Sequence, residues 1–268
     1  MDSTSKQPVK YFISKGIEQF FTGIYDISKF ALQFFKEVFK PPYEVQEVIR
    51  QCYQVGYKSI TLITLTAFIT GIVFTKQSRP SLASFGATSW LPSLIGIAIV
   101  KALAPLITGL ICAGKIGSQM GAELGSMKVT EQIDAMEVSA INPFKFLVVT
   151  RVVASTLMIP VLVIYSGFVG LLGSFLNVHV NEQTSLTAFI HGMFAKIGFT
   201  DLISSLIRAV IFGFTIGIVG CYKGYTTTQG TEGVGRAANA AVVITMFLLF
   251  IEEILIVQFT NWLQPGLG

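Results

Sequence analysis

Five apolar runs of 17 residues or more, at about Ser59–Thr75, Leu91–Ala113, Phe146–Phe175, Leu202–Tyr222 and Ala237–Trp262, set the terms on which this chain can fold. A helix of that length crosses roughly 30 Å of hydrocarbon, and inside hydrocarbon the backbone must satisfy its own hydrogen bonds. The runs therefore predict an all-α integral membrane protein with five spanning helices. The third is long enough to tilt, or to bend at Pro160. Composition agrees: 52% of residues are hydrophobic and 13% charged, with a mean hydropathy of +0.66. The first forty residues carry charge every few positions, so no cleavable signal peptide is read there. They also lack the Arg-rich, acid-poor character of an organelle transit peptide, and a bacterial inner membrane is expected.

Basic residues set the orientation. With the N-terminus in the cytoplasm, 14 of the 19 Lys and Arg residues fall on the cytoplasmic side, and only Lys76, Arg79 and Lys196 fall outside. The expected topology is N-terminus in, C-terminus periplasmic. The net charge of +4 is then a topology signal, and no nucleic-acid partner is expected. Cys52, Cys112 and Cys221 lie in or near the cytoplasmic half and imply no disulfide framework.

Ahead of the first span, Ile13, Ile17, Phe20, Ile24, Ile27, Ala31, Phe34 and Val38 recur at steps of four and three, with Lys15, Glu18, Asp26, Lys29, Lys36 and Glu37 between them. This predicts an amphipathic helix ended by Pro41-Pro42 and lying in the cytoplasmic headgroup layer. A coiled coil or a packed cytoplasmic helix is the plainer alternative. Two units follow: residues 1–42 as the interfacial helix and 43–268 as the five-span unit. Thr61, Thr64, Thr66 and Thr70 place hydroxyls on span one, where they can bond to their own helix or a neighbour. A second, shorter amphipathic pattern at Leu186, Phe189, Ile190, Met193, Phe194 and Ile197 predicts a short helix on the outer side. No repeat is evident, and five spans do not divide into inverted halves, against the common plan of secondary transporters.

Beyond span two, Gly114, Gly117, Gly121 and Gly125, with Ser118, Ala122 and Ser126, allow close helix approach, either as ordinary packing or as a seat for a partner or dimer mate. No Gly is followed by the spacing of a phosphate-cradling loop, so no nucleotide or other cofactor is expected on this chain. Thr130 is placed to cap a helix over about 130–141, with Glu131 and Asp134 in its first turn and Asn142-Pro143 to stop it. Glu131, Asp134 and Glu137 share one side, and Ile133, Met136 and Ala140 another. An acidic helix is a poor binder of the anionic cytoplasmic leaflet and suits a protein groove. Glu131, Gln132, Asp134, Met136 and Glu137 are the candidate docking residues.

The stretch AGKIGSQMGAELGSMKVTEQIDAMEVSAINPFKFLVVTR, Ala113–Arg151, resembles the signature of MlaE-type permeases, the membrane subunits of MCE-associated lipid ABC transporters. RQCYQVGYKS at Arg50–Ser59 and GCYKGYTTTQGTEGVGRAANAAVV at Gly220–Val243 extend the likeness over about Tyr43 to Trp262. The resemblance implies a homodimeric permease, not itself an enzyme. A separate cytoplasmic ABC ATPase, carrying ATP and magnesium, would dock on the 130–141 coupling helix. An MCE-domain protein would sit on the periplasmic face, and phospholipid would occupy a dimer-interface cavity lined by spans one, two and five. Two departures stand out: Lys101-Ala102-Leu103-Ala104-Pro105 replaces the family's Arg-Glu-Leu-Gly-Pro, and Ala113-Gly114-Lys115 replaces Ala-Gly-Arg.

Lys101, Arg208, Glu252 and Glu253 lie within spans, where each is costly unless paired or wet. Glu253, or Glu252 if the register slips, is expected to compensate Lys101 or Arg208 on the lipid path; a pair that only holds helices together is the alternative. His179 and His191 stand apart from any carboxylate or cysteine cluster, so no metal site is expected, and no nucleophile–base arrangement appears. An ion- or proton-coupled carrier using Glu252, Glu253 and Lys101, and a non-transporting scaffold, are the competing readings.

Overall fold

The computed structural model describes residues 12–228 and 230–263. Those residues form an all-α protein: α1 (Phe12–Val38), α2 (Val45–Ser84), α3 (Thr88–Val129), α4 (Gln132–Val138), α5 (Phe144–Glu182), α6 (Leu186–Phe194), α7 (Phe199–Tyr225) and α8 (Thr231–Leu263). Five of them, α2, α3, α5, α7 and α8, are long and apolar enough to span a membrane, as the hydropathy runs require. Each extends past its apolar run. The 40 residues of α2 correspond to about 60 Å of helix, roughly twice the hydrocarbon thickness. Charge marks where hydrocarbon ends, but it does not stop an i→i+4 hydrogen-bond ladder. The far ends of α2 and α5 remain joined by an ion pair between Arg79 and Glu182, 2.6 Å apart.

The bundle is packed through small residues and short polar ties, as expected where lipid removes the hydrophobic drive between helices. A Cβ on Gly71 of α2 would lie 2.0 Å from the carbonyl oxygen of Gly170 of α5. Ser174 Oγ donates to Gly71 O at 3.0 Å across the same contact. Thr64 and Tyr165 join α2 to α5 at 2.7 Å, and Thr108 donates to Ser166 at 2.7 Å between α3 and α5. Thr66 and Thr70 instead bond back to their own helix. The central helices are α5 and α7; Val152, Ile159, Phe212 and Ile216 are at most 0% exposed. In contrast, α2 leaves Leu62, Leu65, Ile69 and Val73 exposed, and α8 leaves Val243, Phe247, Phe250 and Ile254 exposed. These apolar flanks are compatible only with lipid or another protein surface.

On α1, Phe30 and Phe34 are buried and Ile27, Ala31 and Val38 are partly buried. Phe30 meets Phe144 edge-on, with centroids 4.9 Å apart, and Phe34 meets Phe214 at 5.6 Å. The stripe therefore seats on the start of α5 and on α7. The side chains of Ile13, Ile17, Phe20 and Ile24 lie outside the described residues. The short helix α6 starts at Ser185, whose Oγ accepts from Ala188 N, and buries Phe189 and Met193. Ile197 falls beyond its end.

Candidate functional site

Two polar regions interrupt the apolar bundle. In the first, the sequence sets Lys101 four residues before Pro105, and proline has no N–H to offer the Lys101 carbonyl. A π-helical segment, Ala98–Leu103, loosens the same turn, a feature that recurs at functional positions in helices. The Arg208 guanidinium of α7 fills the gap: Nη1 donates to Lys101 O at 2.6 Å and to Glu253 Oε1 of α8 at 2.8 Å. The Arg208 side chain is 1% exposed, so this is a buried ion pair that ties three spans. Next to it on α8, Glu252 accepts from Thr215 Oγ1 at 2.5 Å. Two adjacent carboxylates on α8 thus both reach α7.

Lys101 does not pair with either glutamate. Its Nζ reaches back along the bundle to Asp201 Oδ1 at 3.0 Å, as a long cationic side chain does when it carries its charge toward a polar boundary. Asp201 Oδ2 also accepts from Gly198 N at 3.1 Å, closing the first turn of α7. Asp201 was not singled out from sequence, because an acid three residues into a helix reads as an ordinary N-terminal residue. The three groups that a coupled carrier would use as a relay, Lys101, Glu252 and Glu253, go to three different partners. Buried polar atoms here have no partner among the described residues: Arg208 Nε, Glu252 Oε2, Glu253 Oε2 and Ser204 Oγ. Ser204, one turn before Arg208, lines an apolar groove between α7 and α8 with Ile203, Ile207, Leu255 and Phe259.

The second region is at the opposite end. Between α3 and α5 the chain displays α4, shorter than expected at seven residues. Thr130 does not cap it. Its hydroxyl donates to Ser126 O at 2.8 Å, and Glu131 takes the N-cap position with φ of 59°, without a side-chain cap bond. A threonine can satisfy itself on the preceding turn, and here that bond wins. Nor does Asn142-Pro143 stop the helix, which has already closed at Ala140, φ 60°. Asn142 Oδ1 instead accepts from Lys145 N at 3.2 Å, at the start of α5.

Ile133 is 1% exposed and anchors α4, with Met136 half-buried beside it. Ala140, expected on that same side, is exposed. Glu131, Gln132 and Glu137 point outward, while Asp134 is held by Lys128 Nζ at 2.6 Å. Above α4, Arg151 Nη2 of α5 pairs with Glu123 Oε2 of α3 at 3.3 Å. The sequence used Arg151 only as a marker of orientation. The glycine row faces α8 of the same chain: a Cβ on Gly121 would lie 3.1 Å from Ala238 Cα, and one on Gly125 3.6 Å from Val234 Cα, with Thr227 Oγ1, just ahead of α8, at 3.3 Å. Gly114 and Gly117 meet only Met246 and Thr245, at 3.6 and 4.0 Å. Among the described residues there is no group of His, Cys, Asp and Glu that could hold a metal ion.

The pattern of the permease MlaE family matches residues 48–259. A probable ABC transporter permease protein of Rickettsia prowazekii is 32% identical over 250 residues, 93% of this chain and 96% of that protein. One from Synechocystis is 34% identical over 219 residues, 82% of each chain. The chloroplast protein Trigalactosyldiacylglycerol 1 of Arabidopsis thaliana is 30% identical over 214 residues, 80% of this chain and 61% of that protein. The matched residues take in all four intramembrane charges, the α4 segment and the bulk of each span, and the chain, a multi-pass transport permease, belongs to the MlaE permease family.

Proposed function

We propose that this chain is the membrane subunit of an ABC transporter that moves phospholipid between the bacterial inner membrane and an MCE-domain protein on the periplasmic face. The observation that carries this reading is the polar cluster of Arg208, Glu252 and Glu253, set among apolar spans with Arg208 Nε and both Oε2 atoms unpartnered among the described residues. A substrate with a polar head and long apolar tails answers to both halves of that surface. The glycolipid in the name of the Arabidopsis relative is in keeping with a lipid cargo. Energy comes from a separate cytoplasmic ATPase. It docks on the outward face of α4 through Glu131, Gln132 and Glu137, with Met136 and Asp134 shaping that face. The protein works as a homodimer, with the exposed flanks of α2 and α8 against the second copy. α1 lies at the cytoplasmic interface, and the C-terminus is periplasmic.

The test is reconstitution of the chain with its ATPase in liposomes containing a fluorescent phospholipid. ATP-dependent transfer of the probe to an added MCE-domain acceptor is the expected result. Transfer driven by a pH gradient without ATP, or a stable complex that moves no lipid, would overturn it.

A further inference from the structure

Arg151 is the charge that the reading above leaves without a task. It is the second residue of the α-helical part of α5, and its side chain is 7% exposed. Its Nη1 donates to Leu147 O at 2.9 Å, inside the π-helical opening of α5, Phe144–Val149. Its Nη2 meets Glu123 Oε2 on α3, and Gln119 Nε2 holds the other oxygen, Oε1, at 2.7 Å. Glu123 and Gln119 also line a small hollow with Gln51 and Gln54 at the base of α2. The group therefore joins the cytoplasmic ends of spans one, two and three. Its central pair bridges the two helices between which α4 hangs.

Geometry makes this pair mechanical. α4 is tied to α3 by Lys128–Asp134 and is anchored by Ile133. With α3 and α5 free to slide, a push on α4 would be absorbed in the short segments on either side of it. With Glu123 and Arg151 joined, the two spans move as one body. We propose that the Arg151–Glu123 ion pair, held in register by Gln119, is the clamp through which movement of α4 reaches α3 and α5 together. Both are positioning residues, touching neither cargo nor nucleotide. The inference rests on α4 being the helix an ATPase pushes.

Spin labels at Val180→Cys and Trp262→Cys, on exposed outer ends of α5 and α8, in a Cys52→Ser background, read movement at the far side of the membrane. The full complex with its ATPase is measured in nanodiscs, without nucleotide and with ATP–vanadate. In Glu123→Gln/Arg151→Met, which leaves no buried charge unpaired, ATPase binding should stay within twofold. The ATP-driven change in label distance should fall by at least half. The exchange Glu123→Arg/Arg151→Glu should restore most of it. If the double variant is not recovered folded, Glu123→Asp keeps the charge but shortens its reach, and should give a smaller loss of the same kind. An undiminished distance change in the neutral variant, loss of the ATPase in proportion, or no ATP response in the parent would each overturn the clamp. Lipid transfer by the parent is scored separately, so that a failed cargo assignment is not mistaken for a failed clamp.

Discussion

Arg208 Nη1 donates to the carbonyl oxygen of Lys101, the group to which Pro105 offers no N–H. One nitrogen thereby serves as helix repair for α3 and as counter-ion for Glu253 of α8. Arg208→Lys keeps the charge, but its ammonium stops short of the place where Nη1 meets both oxygens, so one of the two acceptors loses its donor. The expected loss is about 1–3 kcal/mol, the penalty of leaving a buried acceptor unsatisfied. Pro105→Ala, which returns an amide N–H four residues after Lys101, should recover part of that loss in the Arg208→Lys background and little in the parent. A double-mutant cycle on thermal unfolding in detergent reads the coupling. Strict additivity would count against the role given to Pro105.

The two neighbouring acids of α8 should behave differently. Glu253→Gln leaves the Arg208 guanidinium buried with no counter-charge, and breaking such a pair from one side typically costs about 3–5 kcal/mol. Glu252→Gln keeps an acceptor for Thr215 Oγ1, so its effect on stability should stay within about 1 kcal/mol. Neutralising both partners, Arg208→Gln with Glu253→Gln, should recover most of the stability. If the pair also serves the lipid path, ATP-driven lipid transfer stays at least tenfold down in that double variant. Transfer at the parent rate in a restabilised double variant would leave the pair a purely structural tie.

What could be read in advance divides along a physical line. Five spans were legible because hydrocarbon imposes a length and an apolar composition on any helix that crosses it. A partner of opposite sign for Arg208 was foreseeable because a charge within an apolar run must be compensated. Glu253 is the acid expected first, with Glu252 as the alternative, but the sequence leaves open whether it serves Lys101 or Arg208, and it serves Arg208. Glu253 and Glu252 differ by 100° around α8, and only the packing of α7 on α8 selects between Arg208 and Thr215. Asp201 and Arg151 were hidden for another reason: each already has an ordinary local explanation, as a first-turn acid and as a cytoplasmic-side cation. Helix ends were missed where local bonds compete, as at Thr130, whose hydroxyl turned to Ser126 O.

The exposed acids of α4 give a charge-dependent prediction. Glu131→Lys with Glu137→Lys reverses the outward face without touching Ile133, so the permease should purify intact while the co-eluting ATPase falls about tenfold or more. Raising salt should weaken the parent complex in the same direction, since exposed charges are screened. Ile133→Ala separates charge from posture. It removes the anchor at a cost of about 2–4 kcal/mol to the local docking of α4, and should also weaken ATPase binding with every charge in place. Retention of the ATPase by the double Lys variant would exclude α4 as the electrostatic contact.

The glycine row of α3 offers a graded test, because its members look alike in sequence and differ in surroundings. A Cβ on Gly114 would come no closer than 3.6 Å to the end of the flexible Met246 side chain, and one on Gly117 would reach Thr245 Oγ1 at 4.0 Å. Gly114→Ala and Gly117→Ala should therefore be neutral, or stabilising by up to about 1 kcal/mol through helix propensity. At Gly121 the neighbours are Ala238 Cα at 3.1 Å and Ala237 O at 3.3 Å, backbone atoms that cannot turn aside. Gly121→Ala should lower the unfolding temperature, and Gly121→Leu should force α8 from α3 at a cost of about 1–3 kcal/mol or more. Access of a thiol probe to Cys112, 1% exposed in α3, reports the separation during heating. Equal sensitivity at all three glycines would mean that the row meets a surface beyond this one chain.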